Sequence, residues 1–586
     1  MIKLILAVLL LANCYSLAAQ SGSIHQQQSE SYSLLGKLSD EQYDSINGFE
    51  LRKDPTQTAL PLQKRVFGYH PYWSGNLWQN YRWDLLSDLC YFSYEVDPAT
   101  GEALTTHDWS TAPVIDTALV HGVKVHLCVT LFSGHASFFS NPLARQTLTA
   151  NLIELVSSRG ANGINLDFEA VPSSQQQGLT DYIIQLSQAL HAVLPLAELS
   201  IAAPAVNWSN TFDLPAISPW LDLVMVMAYD YYWNGSDLAG PVSGFWPMTA
   251  SFNYGVNSSL SYYQSMGVPE FKLLLGLPYY GREWPVNSNV LPASTTGQGT
   301  AITYKNIRGN TTYYNPSNYY WDYRSFNPYY SYFTTHWRQC FFDDEQSLGA
   351  KYDLVNRRGV AGIGIWALGY DNGYSELWNL IEQKFSLAPQ SLCEDTAYDT
   401  GGPWWNYSNN ESYTETIQSA WPGPLSITFS NLALEAGYDS LWIYDGLNTD
   451  ATLLAALSGN AIPPEILTSG NAFTLKFASD ALTVNSGYEL IWKCPTAGIE
   501  DNEITSAIKV FPNPVNEFLN VLFSELPTSL IRVSLLNMKG QNVLNYLIQP
   551  SISFTIPVKS VNSGLYILKM EVEGQASYSK VFILRN

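Results

Sequence analysis

Between Gly160 and Pro172 the chain reads GANGINLDFEAVP, which sets Asp167 and Glu169 two residues apart in an apolar run. A core strand wants Val or Ile at such places, because an ionised carboxylate buried without a partner costs on the order of several kcal/mol. Packing does not account for two of them. In an extended strand successive side chains face opposite ways, so Asn165, Asp167 and Glu169 share one face while Ile164, Leu166 and Phe168 share the other. Carboxylates offer a substrate proton transfer and charge stabilisation, provided the strand delivers them to where substrate arrives.

The surrounding elements must make that delivery. From Arg65 to about Phe385 short apolar runs alternate with helical patterns, the mark of repeated β-α units and a parallel sheet. Eight strands are expected, at Val66–Tyr69, Leu89–Tyr94, Val123–Leu131, Gly163–Phe168, Leu199–Ala205, Leu223–Ala228, Lys272–Leu277 and Gly362–Trp366. A helix capped by Asn141, with Pro142 at its first position, repeats Leu148, Leu152, Leu155 and Val156 and stops at Gly160. A second runs from Leu179 to Leu194 with Tyr182, Ile183, Leu186 and Leu190 at helical spacing. The pattern predicts an α/β chain built on a (β/α)8 TIM barrel over residues 64–387. Its inward row would carry Asn165, Asp167 and Glu169, with Glu169 most open at the C-terminal end of the strand.

Between the seventh and eighth strands an aromatic insertion, about 284–352, reads as a small α+β lobe walling a cleft. Residues 391–495 alternate as a β-sandwich does, 496–506 read as a linker, and 507–586 are again all-β. Two all-β C-terminal domains are therefore expected. The N-terminus reads as a secretory signal peptide over 1–19, with lipid attachment at Cys14 as the alternative. Residues 20–63 read as a polar, loosely ordered leader, in which SDEQYDS is a solvated face. No later stretch resembles a transmembrane helix.

A net charge of −22 disfavours nucleic acid as a partner, since its phosphates would repel the chain. The 18 Trp and 38 Tyr supply flat apolar surface suited to stacking on sugar rings. Cys393 and Cys494 bracket the sandwich, where a disulfide would close the module. Cys90 and Cys128 sit in strand-like runs and read as buried thiols. No cysteine and histidine spacing resembles a zinc site, and His70 and His126 show no partner pattern.

NGINLDFE resembles the acidic signature of glycoside hydrolase family 18, the chitinases and their relatives. In the same order MAYD (Met227–Asp230), GLPYYGR (Gly276–Arg282) and GIGIWALGYD (Gly362–Asp371) resemble the family's sixth, seventh and eighth strand motifs. The resemblance implies substrate-assisted, retaining cleavage, in which Glu169 protonates the glycosidic oxygen and the sugar's own 2-acetamido carbonyl attacks the anomeric carbon. Asp167 would orient the acetamido N–H and raise the pKa of Glu169, while Tyr229 would donate to the acetamido oxygen. Asp230 would line the floor of that subsite and Met227 would pack beneath the acetyl group. Tyr280 and Arg282 match further substrate contacts, and Trp366 matches the tryptophan under the sugar being cut. Tyr69, Trp73, Tyr94, Trp208 and Trp233 are further candidate platforms or barrel packing. The family's first two aspartates are here Asn162 and Asn165. The latter can hydrogen-bond Asp167 but cannot hold a proton.

YDSLWIYDG and FASD resemble a CUB domain, in which Glu435, Asp439 and Asp480 occupy the places of possible calcium ligands or are solvated loop carboxylates. Trp404 and Trp405 would add glycan contact or fill the sandwich. VFPNPVNEFLNV and the closing GLYILKMEVEGQASYSKVFILRN resemble the Ig-like C-terminal sorting domain of type IX secretion. The whole then reads as a monomeric enzyme, secreted or attached to the outer-membrane surface by the type IX machinery. It needs no cofactor for catalysis and cuts β-1,4-linked N-acetylglucosamine polymers such as chitin. The alternatives are a peptidoglycan or N-glycan-core hydrolase and a barrel lectin.

Overall fold

The computed structural model describes residues 22–50, 61–372, 374–385, 393–494 and 508–583, apart from 514, 525, 538–539 and 573–574. The signal-peptide and linker readings lie outside the described residues. Eight parallel strands close on themselves: β1 (Arg65–Pro71), β2 (Asp88–Val96), β3 (Lys124–Leu131), β4 (Gly163–Phe168), β5 (Glu198–Pro204), β6 (Leu223–Met227), β7 (Leu273–Pro278) and β8 (Gly362–Trp366). Strand β8 completes the ring on β1, with Arg65 opposite Gly362. All eight expected strands are present because each apolar run is buried on both faces, as a parallel sheet covered by helices requires.

The strand that carries the carboxylates is fixed at both ends. Asn141 caps the helix Pro142–Arg159 by accepting from Leu143 and Ala144 N–H, and Gly160 ends it at φ +66°. Asn162 then accepts from Val125 N–H (2.9 Å) and starts β4 in register with β3. Phe168 points outward and stacks on Tyr182 of the helix Gln176–Val193, centroids 6.0 Å apart. Alternation therefore turns Asn165 and Asp167 into the barrel.

At the opposite end Arg65 donates to Asp88 (3.0 Å) and Glu198 (2.7 Å), and His126 Nε2 lies 3.0 Å from Asp88. His126 therefore has partners that its sequence neighbourhood did not announce. Burial works against the Asp88 anion, yet His126 and Arg65 hold its carboxyl below the ordinary value. With Lys124 also bonded to Glu198, this acidic group is neutralised by cations of the fold itself.

The inserted lobe is a five-stranded antiparallel sheet in the order Thr300–Thr303, Tyr280–Val286, Trp337–Phe341, Asn327–Phe333, Tyr319–Asp322. Its second strand starts at Tyr280, so Tyr280 and Arg282 belong to this lobe, beyond the end of β7. The leader departs from the expected loose arm. Residues 22–50 form α1 (Ile24–Ser33) and α2 (Asp40–Asn47), packed on the barrel. SDEQYDS is solvated on one side only: Ser39, Glu41, Gln42 and Ser45 are exposed, with Ser39 and Gln42 in a reciprocal capping box, while Tyr43 is buried and Asp44 accepts from the backbone (2.9 Å) and side chain (3.0 Å) of Asn76. A polar sequence can order in this way when its hydrogen-bonding groups find barrel partners in place of water.

Residues 393–494 form two four-stranded sheets around Leu441, Phe473, Leu475, Phe477 and Leu490, closed by a Cys393–Cys494 disulfide. Neither Trp404 nor Trp405 belongs to the sandwich core; Trp404 is exposed and Trp405 half-buried. Their indole N–H groups donate to Tyr323 O (3.1 Å) and Pro247 O (2.7 Å), tying the module to the barrel domain. Arg357 and Arg358, at the end of the barrel helix Glu345–Arg357, meet Glu415 of the sandwich at 2.5 and 3.4 Å. The Arg358 guanidinium also lies 3.4 Å over the Tyr413 ring. Residues 508–583 form a separate unit, a three-stranded and a four-stranded antiparallel sheet around Leu519, Val533, Leu568 and Val581. Among the described residues no helix is long and apolar enough to cross a membrane.

Leaving one partner of a buried ion pair unpaired costs about 3 kcal/mol. Glu415→Gln, which strands Arg358, is therefore expected to lower the denaturant midpoint for loss of the barrel–sandwich contact, read by tryptophan fluorescence, without shifting the transition of the C-terminal unit.

Candidate active site

The mouth of the barrel is built by chain turns just beyond the strands. Glu169 N–H donates to Leu131 O (3.1 Å), carrying the pairing one residue past β4, and Ala170 turns away at φ +53°. Asp230 follows β6 at φ +56°, and this turn aims its carboxylate at the inserted lobe. There it accepts from the Tyr280 hydroxyl (2.8 Å) and from Arg282 Nη2 (2.9 Å). Arg282 is fully buried, so this pair fixes the junction of barrel and lobe.

Asn165 is committed elsewhere than expected. Its carbonyl accepts from the Tyr69 hydroxyl (3.0 Å) and its amide donates to Ser200 Oγ (2.9 Å). The anticipated bond from Asn165 to Asp167 is not made, because Ser200 on β5 captures the amide. Asp167 Oδ1 is buried without a hydrogen-bond partner. The barrel interior therefore leaves Asp167 free to bond upward, toward the mouth.

What stands above it is His25, from α1. Its Nδ1 lies 2.8 Å from Asp167 Oδ2 and 3.2 Å from Glu169 Oε1, and its Nε2 lies 2.8 Å from the Tyr229 hydroxyl. The imidazole stacks on Trp366 with centroids 3.6 Å apart, and Phe92 meets it edge-on. Burial lowers the His25 pKa, but Asp167 and Glu169 outweigh that and push it up to about 10. The ring is then an imidazolium at neutral pH, donating from Nδ1 to Asp167 and from Nε2 to the tyrosine oxygen. Burial, followed by the neighbouring Asp167 charge, pushes Glu169 up to about 7 against the opposing pull of His25 and Ser23. Tyr229 is driven well above its ordinary value by burial and then by Asp167, so it remains a neutral phenol.

The structure thus gathers Asp167, Glu169, Tyr229, Met227, Tyr69 and Trp366 at one mouth, with Asp230, Tyr280 and Arg282 forming its adjoining wall. Tyr94 is packing, its hydroxyl donating to Gly101 O (2.9 Å), while Trp208 and Trp233 are solvent-exposed. His25, Gln28 and Tyr32 of the leader were not singled out from the sequence. The one local signal was helical, a Ser23 side chain placed to accept from Gln26 N–H. In the sandwich, carboxylate oxygens of Glu435, Asp439 and Asp480 converge within 4.8 Å of one another. Glu435 Oε2 is buried without a partner there, an arrangement that suits a hard cation.

Residues 65–371, more than half of the chain, match the family described as glycosyl hydrolases family 18. The chain belongs to that family. Residues 397–492 match the CUB domain, and 509–585 match a secretion-system C-terminal sorting domain, which marks this family 18 protein for type IX export to the cell surface or beyond. It is 28% identical over 295 residues to YdhD of Bacillus subtilis, assigned as a sporulation-specific glycosylase, covering 48% of this chain and 66% of that protein. Identity to a class V chitinase of Arabidopsis thaliana is 32% over 264 residues, covering 41% and 66%. To a cortical fragment-lytic enzyme of Bacillus anthracis it is 23% over 317 residues, covering 52% and 69%. The chain therefore spans just under two thirds of the first two relatives' own lengths. A solved family 18 N-acetylglucosaminidase from Paenibacillus barengoltzii aligns with a TM-score of 0.49 at 21% identity, over 55% of this chain and 99% of that one.

Because the His25 pKa is raised from 6.5 to about 10 on docking, its contribution to holding α1 is complete below pH 6.5 and is lost as pH rises through about 10. Asp167→Asn removes the nearer anion. An NMR titration of the His25 ring should then give a pKa well below that in the unsubstituted chain, and an unchanged value would contradict the pairing.

Proposed function

We propose that the barrel is a retaining glycosidase that hydrolyses β-1,4-linked N-acetylglucosamine polymers, chitin and chitooligosaccharides, with the substrate's own 2-acetamido group as nucleophile. The observation that carries this reading is the placement of the carboxylates. A two-carboxylate glycosidase needs its groups on opposite sides of the scissile bond, roughly 5 to 9.5 Å apart. Asp167 and Glu169 rise from one strand face and reach the same imidazole nitrogen, at 2.8 and 3.2 Å. Asp230 is spent on Tyr280 and Arg282. Among the described residues Asp167 and Glu169 are the carboxylates gathered with His25 at this mouth, which supports a second partner supplied by the sugar.

In the reaction the sugar ring rests on Trp366. Glu169, which burial and the Asp167 charge raise to about 7 even against the opposing pull of His25, keeps its proton more readily once His25 has left, and gives it to the glycosidic oxygen as the bond from C1 to that oxygen breaks. The acetamido carbonyl oxygen bonds to C1 from the other face, forming an oxazolinium. Asp167 accepts the acetamido N–H and offsets the growing positive charge, while the neutral Tyr229 phenol donates to the acetamido oxygen. Water then adds to C1, Glu169 takes its proton, and the acetamido group is restored. The family relatives named for chitin and for cortical fragments support a substrate bearing this amide, and the latter favours a cell-wall polymer as the second reading. In the CUB domain Glu435, Asp439 and Asp480 would hold a calcium ion, which would stabilise the sandwich and take no part in catalysis.

With His25 replaced by alanine so that sugar can reach Trp366, cleavage of chitotetraose should fall by about 10²-fold or more on Glu169→Gln, the scale of lost general-acid catalysis. Activity on chitotetraose but not peptidoglycan, or the reverse, decides between the two polymers, and equal cleavage of cellotetraose would refute the mechanism. Millimolar calcium should raise the unfolding temperature of the unsubstituted chain by several degrees and leave Glu435→Gln unmoved.

A further inference from the structure

The side chains that the proposed reaction needs are already engaged by another part of the chain. His25 stacks on Trp366 at 3.6 Å, so a sugar ring and the imidazole cannot occupy that face together. Its nitrogens take Asp167 and Tyr229, and its Nδ1 lies beside Glu169. Three residues on, Gln28 Oε1 accepts from Trp366 Nε1 (3.0 Å) and from the Tyr370 hydroxyl (2.9 Å). Tyr32 lies flat on Trp73, centroids 4.8 Å apart and planes within 4°. Residues 25, 28 and 32 fall on one face of α1, so a single helical face presents a cation, an amide carbonyl and a planar ring to the cleft.

The helix is also fastened. Asn47 of α2 accepts from the Tyr32 hydroxyl and donates to Trp73 O (3.0 Å), Asp44 holds Asn76, and Lys305 of the inserted lobe bonds Gly48 O. Ile24 and His25 are buried as thoroughly as barrel-core residues.

We propose that Ser23–Ser33 is a built-in, substrate-mimicking blocker of this enzyme's cleft, which keeps the enzyme latent until the helix leaves. This rests on the glycosidase reading above. The His25 imidazolium takes the place of the positively charged sugar intermediate between Asp167 and Glu169, Gln28 takes the place of a sugar or acetamido acceptor, and Tyr32 covers Trp73 where a neighbouring ring would lie. A blocker that must depart before substrate binds multiplies the apparent affinity by the fraction of open molecules and leaves turnover of the bound complex untouched. Its signature is thus a raised KM with an unchanged kcat.

The test compares the full chain with His25→Ala and, separately, Gln28→Ala, neither of which removes a group from the proposed reaction. Kinetics on chitotetraose are read beside amide hydrogen exchange over 24–33, with thermal melting to establish that each variant is folded. The expected result is strong exchange protection of 24–33 in the unsubstituted chain, loss of that protection in His25→Ala, and a KM lower by about tenfold or more with kcat within about twofold. A synthetic Ser23–Ser33 peptide should inhibit His25→Ala competitively. An unprotected helix in the unsubstituted chain, an unchanged KM, or a kcat that collapses in His25→Ala would overturn the proposal. If protection is lost as expected but no chain cleaves any acetamido polymer, the seated helix stands and the glycosidase reading fails.

Discussion

Two carboxylates on one face of a single strand, buried within reach of the same atom, cannot both stay ionised and unpaired. That constraint organises the mouth of this barrel. Like charges so close repel, and burial adds to the cost of ionising them, so the pair must hold a proton or a cation. In the structure the cation is His25, and the remaining demand appears as a Glu169 carboxyl pushed up to about 7. In the proposed reaction the same demand is met first by the proton on Glu169 and then by the positive sugar.

The rest of the domain serves to keep that pair undercompensated from below. Asn165 would be the natural donor to Asp167, but Ser200 and Tyr69 hold it. Arg282 would be the natural counterion at the mouth, but Asp230 engages it from the neighbouring wall. At the far end of the barrel Arg65 and Lys124 neutralise Asp88 and Glu198, and His126 Nε2 lies 3.0 Å from Asp88. At that end the acids have cations of the barrel as partners, and among the described residues the cation that meets the Asp167–Glu169 pair at the mouth is His25 of the leader. The sandwich is docked on the barrel domain through Trp404, Trp405 and Glu415, none of which touches the carboxylate pair.

Much of this was legible in the sequence because the determinants are local. Apolar runs buried on both faces mark parallel strands, and the alternation in GINLDFE assigns Asp167 to the interior without knowledge of any partner. The Tyr280 and Arg282 motif was visible too, though its place in the inserted sheet depends on antiparallel pairing with Phe341, far along the chain. The leader was misjudged for the same physical reason. Nothing apolar repeats there, and the contacts that order it are between residues 26 to 342 positions apart, such as Asn47 with Trp73 and Gln28 with Tyr370. Ser39 and Gln42 did carry a capping signal, so α2 could have been found as a helix. Its docking could not, since Asn76 and Trp73 are recognised only once the barrel exists. The redirected Asn165 belongs to the same class, because the competing Ser200 lies on the adjacent strand.

The central claim is that the missing second carboxylate is replaced by the substrate's own amide, and the configuration of the first product formed tests it most directly. Proton NMR of chitotetraose hydrolysis by the His25→Ala enzyme, read before mutarotation equilibrates the sugar, should show the β anomer first. Release of the α anomer first would mean that water attacks directly from the far face, and would contradict the account.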